Sequence, residues 1–166
     1  MKKPLTIAIA AATLASTAAL AEPRSGGVIN TVLQPEPPGI IAGIHQNAPT
    51  QTVSGNIYES LLRYSTDLEP MPQLAHSWEV SDDGLVYTFH LNEGVTWHDG
   101  EPFTSADVVF STDVYLREMN PRTRTILAHV DSIEAPDDHT VVFSLKNPFG
   151  PFLLSFEAGT MPMMPK

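Results

Sequence analysis

His98 and Asp99 stand side by side in Trp97-His98-Asp99-Gly100, and an imidazole next to a carboxylate is a minimal pair for general-base hydrolysis. Adjacent residues in an extended chain point apart, however, and Asp-Gly is a turn dipeptide. The pair therefore reads as a turn. The six histidines, at 45, 76, 90, 98, 129 and 139, show neither H-x-x-x-H nor H-x-H spacing and mark no local metal site. Met161, Met163 and Met164 offer thioethers to a soft metal, yet Met-Pro-Met-Met reads as an apolar stretch that packs. Trp78, Trp97, Tyr58, Tyr64 and Tyr87 have faces on which sugars or peptides stack, but single aromatics in strands belong to cores. No G-x-S-x-G, P-loop or G-x-G-x-x-G occurs. The absence of cysteine removes thiolate nucleophiles, thiolate zinc sites, disulfides and lipidated cysteines. Neither an enzyme nor a cofactor or metal site is expected.

The chain has 166 residues, nine Lys+Arg against 19 Asp+Glu, and a formal charge of −10. Nonspecific nucleic-acid or anionic-membrane binding needs clustered Lys/Arg, so no nucleic-acid partner is expected. Met1 to Ala21 has two lysines, an uncharged Ala/Leu/Ile/Thr stretch and Ala19-Leu20-Ala21, the pattern of a cleavable secretory signal peptide over residues 1–21. Its apolar run is short and weakly hydrophobic for a span of about 20 residues. Losing 21 residues and two lysines turns 166 residues at −10 into 145 at −12. An exported, soluble chain without a lipid anchor is the expectation.

The elements that must position any site follow from periodicity. Val28 to Leu33 is rich in β-branched residues and reads as a strand, which the prolines of Gln34 to Gly39 end. Val53, Ile57 and Leu61 recur at i, i+4, i+8, predicting a helix over Thr50 to Leu62. Asp67 to Pro72 is turn-like, and Ser77 to Val80 is a short strand. Ser81-Asp82-Asp83-Gly84 is a hairpin turn leading to Leu85–Leu91, where Leu85, Tyr87, Phe89 and Leu91 share one face. A second hairpin runs from Val130 to Ala135, through Pro136-Asp137-Asp138-His139, into Thr140 to Leu145. Val141, Phe143 and Leu145 share a face there, and the two hairpins are compatible with one sheet. Thr104-Ser105-Ala106-Asp107 resembles a capping box and opens a helix whose stripe is Val108, Val109, Tyr115, Leu116 and Met119, stopped by Asn120-Pro121. Phe149 to Phe156 forms a short final helix.

The run from Leu74 to Ser111 holds the pattern A-x-S-W, D-G, Y-T-F-x-L, G-V-x-W-x-D-G-x-P-F-T and D-V-x-F. It resembles the signature of family 5 extracellular solute-binding proteins, the peptide, glutathione and nickel receptors of ABC importers. The resemblance extends to Asn56–Leu62 before the run and to Ile133–Phe143 after it. It implies an α+β fold like that of the type II periplasmic binding proteins, without covalent chemistry. Residues 22–58 would be the first strand and helix of a ligand lobe, 59–160 an inserted antiparallel-sheet lobe, and 161–166 the return to the ligand lobe.

The resemblance further implies a monomeric periplasmic receptor that takes a peptide or peptide-like solute to inner-membrane ABC permease subunits. Asp83-Gly84 and Asp99-Gly100 would turn the chain, while Trp78, Phe89 and Trp97 fill core. The solute-facing loop would be His45-Gln46-Asn47-Ala48-Pro49. Gln46 and Asn47 are the candidate ligand-binding residues, with Gln34 a third, since amides donate to and accept from a peptide main chain. Asn92 replaces the family's usual basic residue after F-x-L, expected at the surface. Full members continue into a third lobe that supplies the opposite wall and the charged anchors for peptide termini, so a truncated chain without a full cleft is expected. A secreted hydrolase using His98 and Asp99, or an interaction module unrelated to uptake, are the alternatives.

Overall fold

The computed structural model describes residues 26–166, so the expected signal peptide lies outside the described residues. The chain divides into a unit ending at Val32 and a unit from Leu33 to Lys166. In the first, residues 26–32 form no regular element, and Val28, Ile29 and Val32 are exposed. The expected strand at Val28–Leu33 is therefore not formed. β-branched composition suits a pleated surface but does not supply a neighbour to pair with.

The second unit is built on a four-stranded antiparallel sheet in the order β3-β4-β6-β5. Its strands are β3 (Ala75–Val80), β4 (Val86–Leu91), β5 (Val130–Asp137) and β6 (Thr140–Leu145), so both expected hairpins share one sheet. The β3–β4 turn closes as its residues dictate. Gly84 takes φ +67, and its N–H donates to the Ser81 carbonyl at 2.8 Å. The Asp83 carboxylate accepts the Ser81 hydroxyl at 2.6 Å and the Leu85 N–H at 3.1 Å. The second turn is tighter than expected, because β5 runs on through Pro136 and Asp137 and only Asp138-His139 is left between the strands. Registers Trp78↔Phe89, Tyr87↔Phe143 and Phe89↔Val141 put the apolar alternates on one face. A small hairpin precedes the sheet, pairing β1 (Leu62–Tyr64) with β2 (Pro70–Pro72). Its second strand occupies part of the segment expected only to turn.

The expected helix at 50–62 is shorter and earlier. α1 spans Ala48–Ser54, and the Ser54 carbonyl then accepts the N–H groups of Ile57 and Tyr58 to close a turn around Gly55-Asn56. Leu61 and Leu62, both fully buried, leave that turn and enter β1, so the i, i+4, i+8 stripe is divided between two elements. The helix after Thr104 begins where expected, with the Asp107 carboxylate accepting the Thr104 N–H at 2.8 Å. It runs as α2 (Ser105–Val109), a π-helical stretch (Phe110–Leu116) and α3 (Arg117–Met119). The wider π turn shifts the buried face, so Ser111 and Thr112 join Val108 and Leu116 inside while Met119 is exposed. Asn120 stops the run as expected, but α4 (Pro121–Leu127) follows immediately.

These helices and a 3-10 turn at Gly150–Ser155 cover the apolar face of the sheet. Phe89, Phe143, Phe152 and Phe156 meet edge-on or tilted at centroid distances of 4.7–5.8 Å, and all four are fully buried. Each such ring contributes about 1.5–3 kcal/mol by burial. Met161 and Met163 are fully buried beside them, as packing rather than metal ligands. Trp78 and Trp97 are only partly buried at the edge of this core. The chain enters and leaves this unit along one line. Ser60 Oγ donates to the Met161 carbonyl at 2.7 Å, Leu62 N–H to Phe156 at 3.2 Å and Met163 N–H to Glu59 at 2.8 Å. No helix among the described residues is long and apolar enough to cross a membrane.

Candidate functional site

The loop from Gly39 to Asn47 is fixed by polar bonds to the helices. Thr50 Oγ1 donates to the Gly39 carbonyl at 2.9 Å, and Tyr115 Oη donates to the Ala42 carbonyl at 2.6 Å. Burial raises the Tyr115 pKa, with Tyr58 adding to it, which keeps the hydroxyl a neutral donor. Gly43 adopts φ +85, and a Cβ built there would lie 2.9 Å from Leu116 Cδ2 and 3.1 Å from Tyr115 Cε1. Only glycine fits both that backbone and that contact.

At the end of this loop, the Asn47 side chain accepts the Thr50 N–H at 2.9 Å and so caps α1. Gln46 Nε2 donates to Asn120 Oδ1, which also accepts the N–H groups of Arg122 at 3.1 Å and Thr123 at 3.0 Å. Asn120 is 1% exposed and is the hub of this corner. Thr123 Oγ1 donates to the Thr160 carbonyl at 2.8 Å, so the corner is also tied to the chain's return from the sheet. Gln46 and Asn47 are both exposed, and neither Gln46 Oε1 nor Asn47 Nδ2 has a partner among the described residues. One free acceptor and one free donor on neighbouring residues match the N–H and C=O of a peptide group. Gln34 is exposed and shares no hydrogen bond with them.

The other sequence candidates have structural explanations. Asp99 Oδ1 accepts the Glu101 N–H at 3.1 Å, and Gly100 at φ +93 donates to the Trp97 carbonyl at 3.0 Å, so His98-Asp99 is the expected turn. Asn92 is not a free surface residue, since its Nδ2 donates to the Gln73 carbonyl at 2.5 Å and links β4 to the strand before it. His76 and His90 stack at 6.1 Å on the polar face of the sheet, with Glu79 3.9 Å from His90. Among the described residues no group of three His, Asp or Glu could hold a metal ion. A cleft of about 370 Å³ lies between Asn56–Glu59 and Val95–His98, with Trp97 and Phe103 in its wall. Sequence reading took Asn120 only as a helix stop. The signal for more was Asn-Pro itself, a cap residue followed by a proline suited to the first helical turn.

The description "Bacterial extracellular solute-binding proteins, family 5 Middle" matches residues 69–165, more than half of the chain. The chain belongs to the family 5 bacterial extracellular solute-binding proteins. The family 5 chain is 37% identical over 124 residues to the "Probable peptide ABC transporter periplasmic-binding protein y4tO" of Sinorhizobium fredii, covering 74% of this chain and 22% of that one. It is 38% identical over 108 residues to a glutathione-binding protein of Pectobacterium atrosepticum, covering 63% and 20%. Among solved structures it resembles the periplasmic binding protein AgaA of A. tumefaciens R10 in complex with agropinic acid. The TM-score is 0.71 at 32% identity, over 78% of this chain and 26% of that one. The family 5 chain thus spans about a fifth of the length of these curated relatives. Its mixed helix and sheet architecture is that of type II periplasmic binding proteins, and the family and these relatives are solute-binding proteins rather than hydrolases.

Proposed function

We propose that this chain supplies part of a periplasmic receptor that captures a peptide or peptide-like solute and delivers it to the inner-membrane permease of an ABC importer. The observation that carries this reading is family membership, joined to a loop that holds Gln46 Oε1 and Asn47 Nδ2 outward and unpaired. In this reading residues 1–21 direct export, 22–58 belong to the ligand lobe, 59–160 to the inserted lobe and 161–166 to the return. The side-by-side run of Glu59–Leu62 and Phe156–Met163 supports such a junction. Gln46 and Asn47 bind main-chain groups of the solute, and Gln34 contributes from the preceding segment. The receptor is a monomer without a lipid anchor. Peptides, glutathione and agropinic acid, the ligands named for the relatives, all carry a carboxylate beside amine, amide or hydroxyl groups.

A tripeptide blocked at both termini tests the corner, because it offers main-chain groups alone. Added at millimolar concentration, it is expected to shift the side-chain amide resonances of Gln46 and Asn47 saturably, and the variant Q46A/N47A to lose the response. Shifts confined to other parts of the chain, or no shift at all, would overturn the assignment.

A further inference from the structure

The described residues are strongly acidic, yet three of their six Lys/Arg side chains lie between residues 117 and 124, a stretch that holds Glu118 as its one carboxylate. Two of the three are engaged. Arg117 pairs with Asp113 at 3.0 Å, and Arg124 donates to the carbonyls of Arg117 at 2.6 Å and Glu118 at 2.5 Å. Arg122 is exposed, and its guanidinium has no hydrogen bond or ion pair among the described residues. Its position is nonetheless fixed, because its N–H and Gln46 Nε2 are held by the same oxygen, Asn120 Oδ1. The one uncommitted guanidinium of this basic stretch therefore starts from the buried hub that also holds the neutral amides of the candidate site.

We propose that Arg122 is the anionic-group anchor of this corner, pairing with a carboxylate of the solute while Gln46 and Asn47 take the adjacent amide. The inference rests on the reading of Gln46 and Asn47 given above. It is distinct from the terminus anchors that the family resemblance assigns to a third lobe. A guanidinium presents a planar pair of N–H donors matched to a carboxylate, and such charge-assisted bonds are about twice as strong as neutral ones. Burial of the whole Asn120 hub supplies the rigidity that lets an exposed arginine select rather than merely attract.

The experiment compares an N-acetylated tripeptide with a free C-terminal carboxylate and the same peptide as its C-terminal amide, by NMR titration of the full chain. The free carboxylate is expected to bind about tenfold more tightly and to shift the Arg122 Nε–H resonance, a preference that weakens with added salt. R122Q should bring the two peptides to the same affinity, R122K should keep part of the difference, and R63Q, a remote charge loss, should keep all of it. Equal affinities in the unaltered chain, or a preference that survives R122Q, would overturn the inference while leaving the amide corner standing. If neither peptide moves Gln46 and Asn47, the corner itself fails, and the anchor fails with it.

Discussion

The segment 33–58 and the sheet unit that follows it are held together by different forces. Of the buried hydrophobic side chains, Ala42 alone precedes Leu61, whereas the sheet unit buries four phenylalanines, two methionines and most of the leucines. The earlier segment stays in place through single polar bonds from Thr50, Tyr115, Asn47 and Gln46. Burial is cooperative and insensitive to any one polar contact, while a chain pinned by hydrogen bonds opens locally when one is lost. The family signature lies in the first kind of structure and the candidate site in the second. Family membership is therefore legible from residues that need not touch solute.

Three measurements would break or sharpen this contrast. The largest effect is expected from Phe143→Ala, which empties the centre of the aromatic cluster and should cost about 3–5 kcal/mol in chemical denaturation. A loss below about 1 kcal/mol would show that the sheet unit is not the stable half. Gly43→Ala is expected to cost about 1–2 kcal/mol, from the positive φ and the close approach to Leu116. Hydrogen exchange should show that loss in residues 39–54 and leave β4 and β6 nearly unchanged. Uniform acceleration through the sheet would contradict the division.

The smallest effect concerns acid. Hydrogen bonds from Ser81 and the Leu85 N–H hold the Asp83 carboxyl below its usual range, and the His139 N–H followed by the Thr140 side chain do the same for Asp137. For a depressed carboxylate the contribution is present above the unfolded value of about 3.9 and is lost as pH falls through the folded value. Amide exchange at the Ser81–Leu85 and Asp137–Thr140 turns should therefore accelerate, beyond the chemical rate, between about pH 4 and pH 2. Residues 39–54 contain no carboxylate and should show no matching acid transition. Replacing Asp83 by Asn should remove the effect at the first turn only.

What was legible in the sequence follows the same line. The turns at Ser81–Gly84 and Trp97–Gly100, the alternation in β4 and β6 and the Thr104 cap depend on residues a few positions apart, and they formed as their chemistry implied. The strand at Val28–Leu33 failed because pairing needs a neighbour that local composition cannot name. The helix at 50–62 was overextended because Leu61 and Leu62 are buried on opposite sides of a strand start, not on a helical stripe. The π stretch escaped notice because its buried face contains Ser111 and Thr112, whose hydroxyls donate to the carbonyls of Asp107 and Val108 at 2.7 Å. In the candidate site, Gln46 and Asn47 were nameable through family resemblance. Asn120 was not, since its bond to Gln46 joins positions 74 residues apart.

The bonds from Glu59–Leu62 to Phe156–Met163 run antiparallel, so both ends of the intervening chain emerge at the same edge. Tension applied through those two ends loads the bonds in sequence, Glu59 to Met163 first, Ser60 to Met161 next and Leu62 to Phe156 last, rather than all at once. The junction is a zipper and not a shear clamp. It is mechanically soft at its mouth, while the aromatic core behind it carries no load until the last of these bonds has parted.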